Sequence, residues 1–128
     1  MRLQIDKQAC VGCCSCEMAC TSVHEGRYNP RHSRIRVPLT FPLPSPPVVC
    51  KHCKKAKCIE VCLSGALYKE KEVVKFESEK CNLCGACVTA CPFHAIWLEK
   101  DAVFKCDLCG GVPFCAEICP FGAIKVVD

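Results

Sequence analysis

Cys81, Cys84, Cys87 and Cys91 are spaced C-x2-C-x2-C-x3-C, with Pro92 directly behind them. Three thiols two residues apart can wrap one loop around a face of a cubane iron–sulfur cluster. The fourth leaves on the following turn and points away, so it serves a second cluster. Pro92 then stops the turn, having no N–H to continue a helix. A structural zinc site draws its four ligands from two separated pairs, which this triple does not offer. The chemistry implied is ligation of a 4Fe–4S cluster, a centre that exchanges single electrons.

The same run recurs three times. Cys10, Cys13, Cys16 and Cys20 keep the spacing but are followed by Thr21 in place of proline. Cys50, Cys53, Cys58 and Cys62 read C-x2-C-x4-C-x3-C and are followed by Leu63. Cys106, Cys109, Cys115 and Cys119 read C-x2-C-x5-C-x3-C, with Pro120 behind. Cys14 is the one cysteine of 17 outside this pattern, either a small packing residue or a site of ligand swapping or redox sensing.

Composition agrees with metal as the use of these thiols. A 128-residue chain with this many cysteines is either a secreted disulfide scaffold or an intracellular metal protein. The start, Met1 to Lys7, carries no apolar h-region and no twin arginine, and no apolar run approaches a membrane span. A cytoplasmic protein without a membrane span is expected. The 51% hydrophobic content counts cysteine, and without it the apolar set is thin. Clusters are therefore expected to fill much of the interior, with folding linked to their binding. The formal charge of +4 treats every thiol as neutral. Each thiolate-held cluster brings ~2 negative charges, so four of them turn the balance to about −4. A nucleic-acid partner has no support.

Between the motifs the chain offers only short elements. Leu3 and Ile5 alternate with polar residues as in a strand. Residues 21–49 are free of cysteine and hold six of the nine prolines. Within them a short strand is expected over Arg34–Val37 and an extended connector over Pro42–Pro47. Arg27, Arg31, Arg34 and Arg36 make the segment basic, as a solvated loop or as a docking surface. Lys51, Lys54, Lys55 and Lys57 crowd the second motif, where positive charge raises a cluster's potential or attracts an acidic partner. His52 could ligate iron, but four cysteines already stand beside it. A hairpin is expected from Ser64–Tyr68 through a turn to Val73–Phe76, and a second from Ala95–Leu98 to Ala102–Phe104. Phe121–Val127 closes the chain as a strand. The repeated unit is cysteine loop, short helix ending at the fourth cysteine, and strand.

Because the fourth cysteine crosses over, the motifs work in twos. One hairpin joins the second and third, which leaves the first and last to pair, drawing the terminal strands together. The resulting ligand sets are Cys10, Cys13, Cys16 and Cys119; Cys20, Cys106, Cys109 and Cys115; Cys50, Cys53, Cys58 and Cys91; and Cys62, Cys81, Cys84 and Cys87. Four 4Fe–4S clusters would then form a chain. The expected fold is α+β, two bacterial-ferredoxin-like modules with one inserted in the other. The outer module takes residues 1–26 and 101–128, a Pro-rich connector 27–49, and the inner module 50–100.

Four such motifs in this order, the x4 insertion in the second, and the segment Asn29 to Ile35 resemble the four-cluster polyferredoxin subunits that accompany molybdopterin and tungstopterin oxidoreductases, certain hydrogenases and carbon monoxide dehydrogenase. The resemblance covers nearly the whole chain. Its departures are the missing proline after Cys62, the extra Cys14, and the short length. It implies the same pairing of first with fourth motif, no catalytic residue, and a larger catalytic partner plus a second redox partner. The compact chain looks most like the subunits of tungsten-dependent aldehyde oxidoreductase-type enzymes. A hydrogenase, formate dehydrogenase or carbon monoxide dehydrogenase partner is the alternative, as are a free polyferredoxin shuttle and a zinc-binding interaction module.

Overall fold

A computed structural model of the chain describes residues 2–38, 46–99 and 102–127. Four two-stranded antiparallel ladders and four helices carry the cysteine loops. Strand β1 (Arg2–Ile5) pairs with β8 (Ile124–Val127), Leu3 facing Val126 and Ile5 facing Ile124, so the two ends of the chain meet. Strands β2 (Ile35–Arg36) and β3 (Val48–Val49) pair across the proline-rich segment. Much of the connector expected over Pro42–Pro47 lies outside the described residues.

Both hairpins form, but their first strands start later than expected: Leu67 rather than Ser64 opens one, with Lys69 and Glu70 in the strand and not the turn, and Trp97 rather than Ala95 opens the other. Strand β4 (Leu67–Glu70) pairs with β5 (Val73–Phe76), and Lys71 and Glu72 between them both take positive φ, 49° and 67°. Two consecutive left-handed residues match the right-handed twist of a tight hairpin. Strand β6 (Trp97–Glu99) pairs with β7 (Ala102–Phe104); the turn expected between them includes residues 100 and 101, outside the described set.

Three helices are single turns ending just before a motif's last cysteine: α2 (Lys57–Val61), α3 (Ala86–Ala90) and α4 (Phe114–Ile118). The first, α1 (Ser15–Glu25), runs on past Cys20 for eleven residues in all, longer than the repeat predicts. Thr21 is part of the reason. It is fully buried, turns its hydroxyl back to Glu17 O (3.2 Å) within the helix, and accepts from Asn29 N–H (3.4 Å) beyond it. Proline cannot occupy this place without ending the helix. Absence of proline alone is not sufficient, however, because α2 stops at Val61 although Leu63 follows; there Cys62 N–H turns back to Ile59 O and Gly65 N–H to Cys62 O.

Helix α1 packs on α4, and α2 on α3. Two apolar clusters result. One gathers Leu3, Ile35, Val37, Val49, Leu108 and Ile124 with Cys16, Cys20, Cys50, Cys106 and Cys115. The other gathers Leu67, Val74, Ile96 and Val103 with Cys58 and Cys87. Thiols thus stand at core positions that aliphatic side chains hold in ordinary domains of this size. Among the described residues no helix is long and apolar enough to cross a membrane.

Candidate metal centres

Each cysteine loop is set by one backbone device. The residue two places after the first cysteine takes a left-handed conformation in all four motifs: Gly12 (φ 75°), His52 (47°), Leu83 (61°) and Leu108 (60°). In three of them the N–H of that same residue donates back to the first cysteine. His52 N–H donates to Cys50 Sγ (3.3 Å), Leu83 N–H to Cys81 Sγ (3.4 Å) and Leu108 N–H to Cys106 Sγ (3.3 Å). The fourth cysteines are served likewise, Cys91 by Ala95 N–H and Cys119 by Ala123 N–H (3.4 Å each), and Cys20 by Arg34 N–H (3.2 Å). Hydrogen bonds from peptide N–H groups favour the thiolate over the thiol and raise the potential of a cluster held by it.

The structure brings the first and last motifs together. Cys20, Cys106, Cys109 and Cys115 line one pocket, with His24, Arg34 and Asp107 in its wall. Cys10, Cys13, Cys16 and Cys119 line another, beside Val11, Val37 and Phe121. Burial pushes the Cys16 and Cys115 thiols up to about 12. Cys16 is raised further by Cys115, and Cys115 by Cys109 and Cys20. In the second and third motifs, burial pushes Cys58 up to about 11, with Cys50 adding to it and Cys91 more weakly; burial raises Cys87, with Cys62 and Cys81 adding. Cys53 packs on the same core cluster as Cys58, while Cys84 stays exposed on its loop.

Two less buried thiols shift the other way. Ser15 Oγ lies 3.4 Å from Cys13 Sγ, and its hydrogen bond lowers that thiol. At Cys62 (3.5 Å from Ser64 Oγ) burial works upward, but the Ser64 hydroxyl and neighbouring N–H groups outweigh it. In each case a serine stands two residues after the cysteine.

This donor set fits a cubane cluster. Each pocket is walled by four thiols, and N–H groups already polarise Cys20 and Cys106 in one and Cys119 in the other. Buried thiols held in the neutral form must lose their protons to bind iron, so loading releases protons and tightens as pH rises.

Several residues around the centres carry no mark in the cysteine pattern. His24 Nε2 stands 3.6 Å from Cys109 Sγ, across 85 residues of sequence. Burial lowers its pKa, and Arg34 lowers it further, so the neutral ring is favoured. Glu17, inside the first motif, is buried and accepts Val37 N–H at 2.7 Å, tying α1 to the strand beyond. Lys105 is buried next to Cys106. No periodicity or spacing rule marks these three, because each is defined by a distant partner.

Other expectations change in the fold. Two of the four connector arginines are clamps within the chain. Arg34 pairs with Asp107 (3.4 Å), and Arg36 pairs with Glu99 (3.1 Å) while lying 4.5 Å over the Trp97 ring. His52 is already engaged, its Nδ1 accepting Val74 N–H at 3.0 Å. In the lysine-rich loop Lys51 lies 4.5 Å over the Phe93 ring.

Residues 44–128 match the model of the 4Fe–4S dicluster domain family. The chain is 43% identical over 130 residues to the aliphatic sulfonate oxidoreductase, polyferredoxin-like subunit of Pyrococcus furiosus, covering 96% of this chain and 75% of that relative. It is 32% identical over 142 residues to the thiosulfate reductase electron transfer subunit of Salmonella typhi, covering 94% and 71%. Among solved structures it resembles a chain of the active site complex BamBC of benzoyl coenzyme A reductase with bound benzoyl-CoA. There the TM-score is 0.56 at 27% identity, over 98% of this chain and 77% of the other.

Proposed function

This chain belongs to the 4Fe–4S dicluster domain family, and we propose that it holds four 4Fe–4S clusters in line and conducts electrons between a larger catalytic subunit and a second redox partner. It is a non-catalytic iron–sulfur electron-transfer subunit of an oxidoreductase complex. The ligand sets proposed are those read from the motif spacing, with the first and last motifs sharing one pair of clusters and the middle motifs the other. In this reading residues 1–26 and 101–128 form the outer unit, 27–49 the connector, and 50–100 the inner unit. The catalytic partner proposed is a tungsten- or molybdenum-pterin enzyme of the aldehyde oxidoreductase type.

One observation carries the reading: thiols from opposite ends of the chain line common cavities, three from one motif with the fourth cysteine of the other. A bound cluster supplies reversible one-electron exchange without bond chemistry. The residues of the chain do the rest. Buried cysteines and the aliphatic residues around them exclude water, N–H groups stabilise the thiolates, and the Arg34–Asp107 and Arg36–Glu99 pairs fasten the connector to the fourth motif and β6.

The test is elemental analysis of the complex purified without oxygen from its native host. The expected result is about sixteen irons per copy of this chain, beyond those held by the partner. Tungsten or molybdenum in the same complex is expected; nickel instead would overturn the pterin assignment in favour of a hydrogenase or carbon monoxide dehydrogenase. Sixteen irons with no second polypeptide would overturn the subunit role in favour of a free shuttle.

A further inference from the structure

We infer that Lys105 is a potential-setting residue: a fixed, buried cation at the joint between the second and fourth motifs, whose countercharge is the pair of thiolate-held clusters on either side of it. The inference rests on the four-cluster reading above and adds to it a residue that none of the cysteine motifs contains.

Lys105 is only 3% exposed, yet among the described residues no carboxylate pairs with it. Its Nζ donates to Cys106 O (2.7 Å) and to Val74 O on β5. Two neutral carbonyls satisfy two of its three N–H bonds and none of its charge. A buried ammonium without a countercharge is strongly disfavoured, so the site calls for negative charge that the described side chains do not supply. Such charge is available on both flanks. Cys106 belongs to the ligand set shared with the first motif, and Cys50 and Cys106 pack in one apolar cluster.

A second group at the same joint points the same way. Val74, whose carbonyl Lys105 holds, gives its N–H to His52 Nδ1. The proton of the neutral ring is therefore on Nε2, and that atom is buried with no partner among the described residues. A cluster sulfur between Cys50 and Cys53 is an acceptor of the right chemistry.

A positive charge stabilises the reduced, more negative state of a nearby cluster and so raises its potential. Acting on one cluster from each pair, Lys105 holds the two central steps of the electron path at higher potential than they would otherwise have. A merely structural lysine would only tie β5 to the fourth motif.

The test uses the complete protein, purified without oxygen, with iron content measured and each midpoint followed by EPR-monitored redox titration. Lys105→Gln keeps a donor without charge, Lys105→Met keeps only the stem, and Lys105→Arg keeps the charge. Lys125→Gln on exposed β8 is the control for net charge. Two of the four midpoints are expected to fall equally in the Gln and Met variants and to stay in place in the Arg and control variants. If the Gln and Met variants lose iron while Arg retains it, the charge is required for the clusters to bind, which also supports the inference. Unmoved midpoints at full iron, a shift in Met alone, equal shifts in all four, or iron loss in all three variants would overturn it. Iron well below sixteen in the unaltered protein would instead sink the four-cluster reading, before any variant is compared.

Discussion

The first and last cysteine motifs are brought together across almost the whole chain, whereas one hairpin joins the second to the third. The outer meeting needs the β1–β8 ladder, an eleven-residue helix packed on α4, and the Glu17 carboxylate to hold α1 against Val37. The inner one needs only β4–β5 and two single-turn helices. Their rims differ as well. About half of each of Val11, Met18, Val112, Ile118 and Phe121 is exposed near the outer motifs, an apolar border. Lysines surround the second motif, with Leu63 almost fully exposed beside its last cysteine. Local contacts form at small entropic cost, and contacts between chain ends must first close a long loop. The inner half is therefore the part able to persist when the outer half is disturbed.

The sharpest way to break that comparison is to delete residues 124–128, which removes β8 and leaves β1 without a partner. Iron is expected to fall from about sixteen to about eight per chain, with the spectrum of the middle motifs retained. Iron analysis and EPR of the anaerobically purified variant check this. Loss of all iron would show that the inner half depends on the outer one.

That contrast also explains what was legible in the sequence. Cysteine spacing is the geometry of a local loop, so the four motifs, both hairpins and the terminal strands could be read before any coordinates. Alternation at Leu3 and Ile5 marks a strand because that face packs inward, whereas in the last strand Ile124 is buried and Val126 is exposed. The length of α1 could not be read, because it depends on Thr21 meeting Asn29 after the chain has turned. The roles of Arg34 and Arg36 were hidden for the same reason, their partners being Asp107 and Glu99. His24, Glu17 and Lys105 are likewise chosen by neighbours tens of residues away. Cys14 is different, since the clue was present. It follows Cys13 as Gly85 follows Cys84 and Gly110 follows Cys109, so aligning the repeats places it on a glycine position.

Replacing Glu17 by Ala tests the outer half at one atom. Val37 N–H is buried against this carboxylate, and its removal leaves a donor unsatisfied at a cost of about 1–3 kcal/mol. The expected outcome is a lower denaturant midpoint and preferential loss of the clusters of the first and last motifs. Glu17→Gln, whose amide oxygen can still accept, should recover most of the loss. Equal loss from all four centres in the Ala variant would mean that the two halves unfold as one unit.

The smallest effect is expected at Cys14, and its sign is the informative part. At φ 64° and ψ 16° it caps α1 in the left-handed region, where Gly85 caps α3 at 76° and 5°. A side chain in that region is strained, and glycine is not. Its thiol contributes a long contact to Gly12 O, 3.6 Å, and burial followed by the charge of Glu17 pushes its pKa up. Backbone strain at a position that two of the other repeats give to glycine is what the residue adds. Cys14→Gly should keep all iron and stabilise the first motif by up to about 1 kcal/mol, the relief of strain being partly offset by a more flexible unfolded chain. Cys14→Ala, equally strained, should gain nothing. Thermal denaturation of the three loaded proteins under argon measures the difference. Iron loss in the Gly variant would restore Cys14 as a ligand and make the first motif chemically unlike the other three.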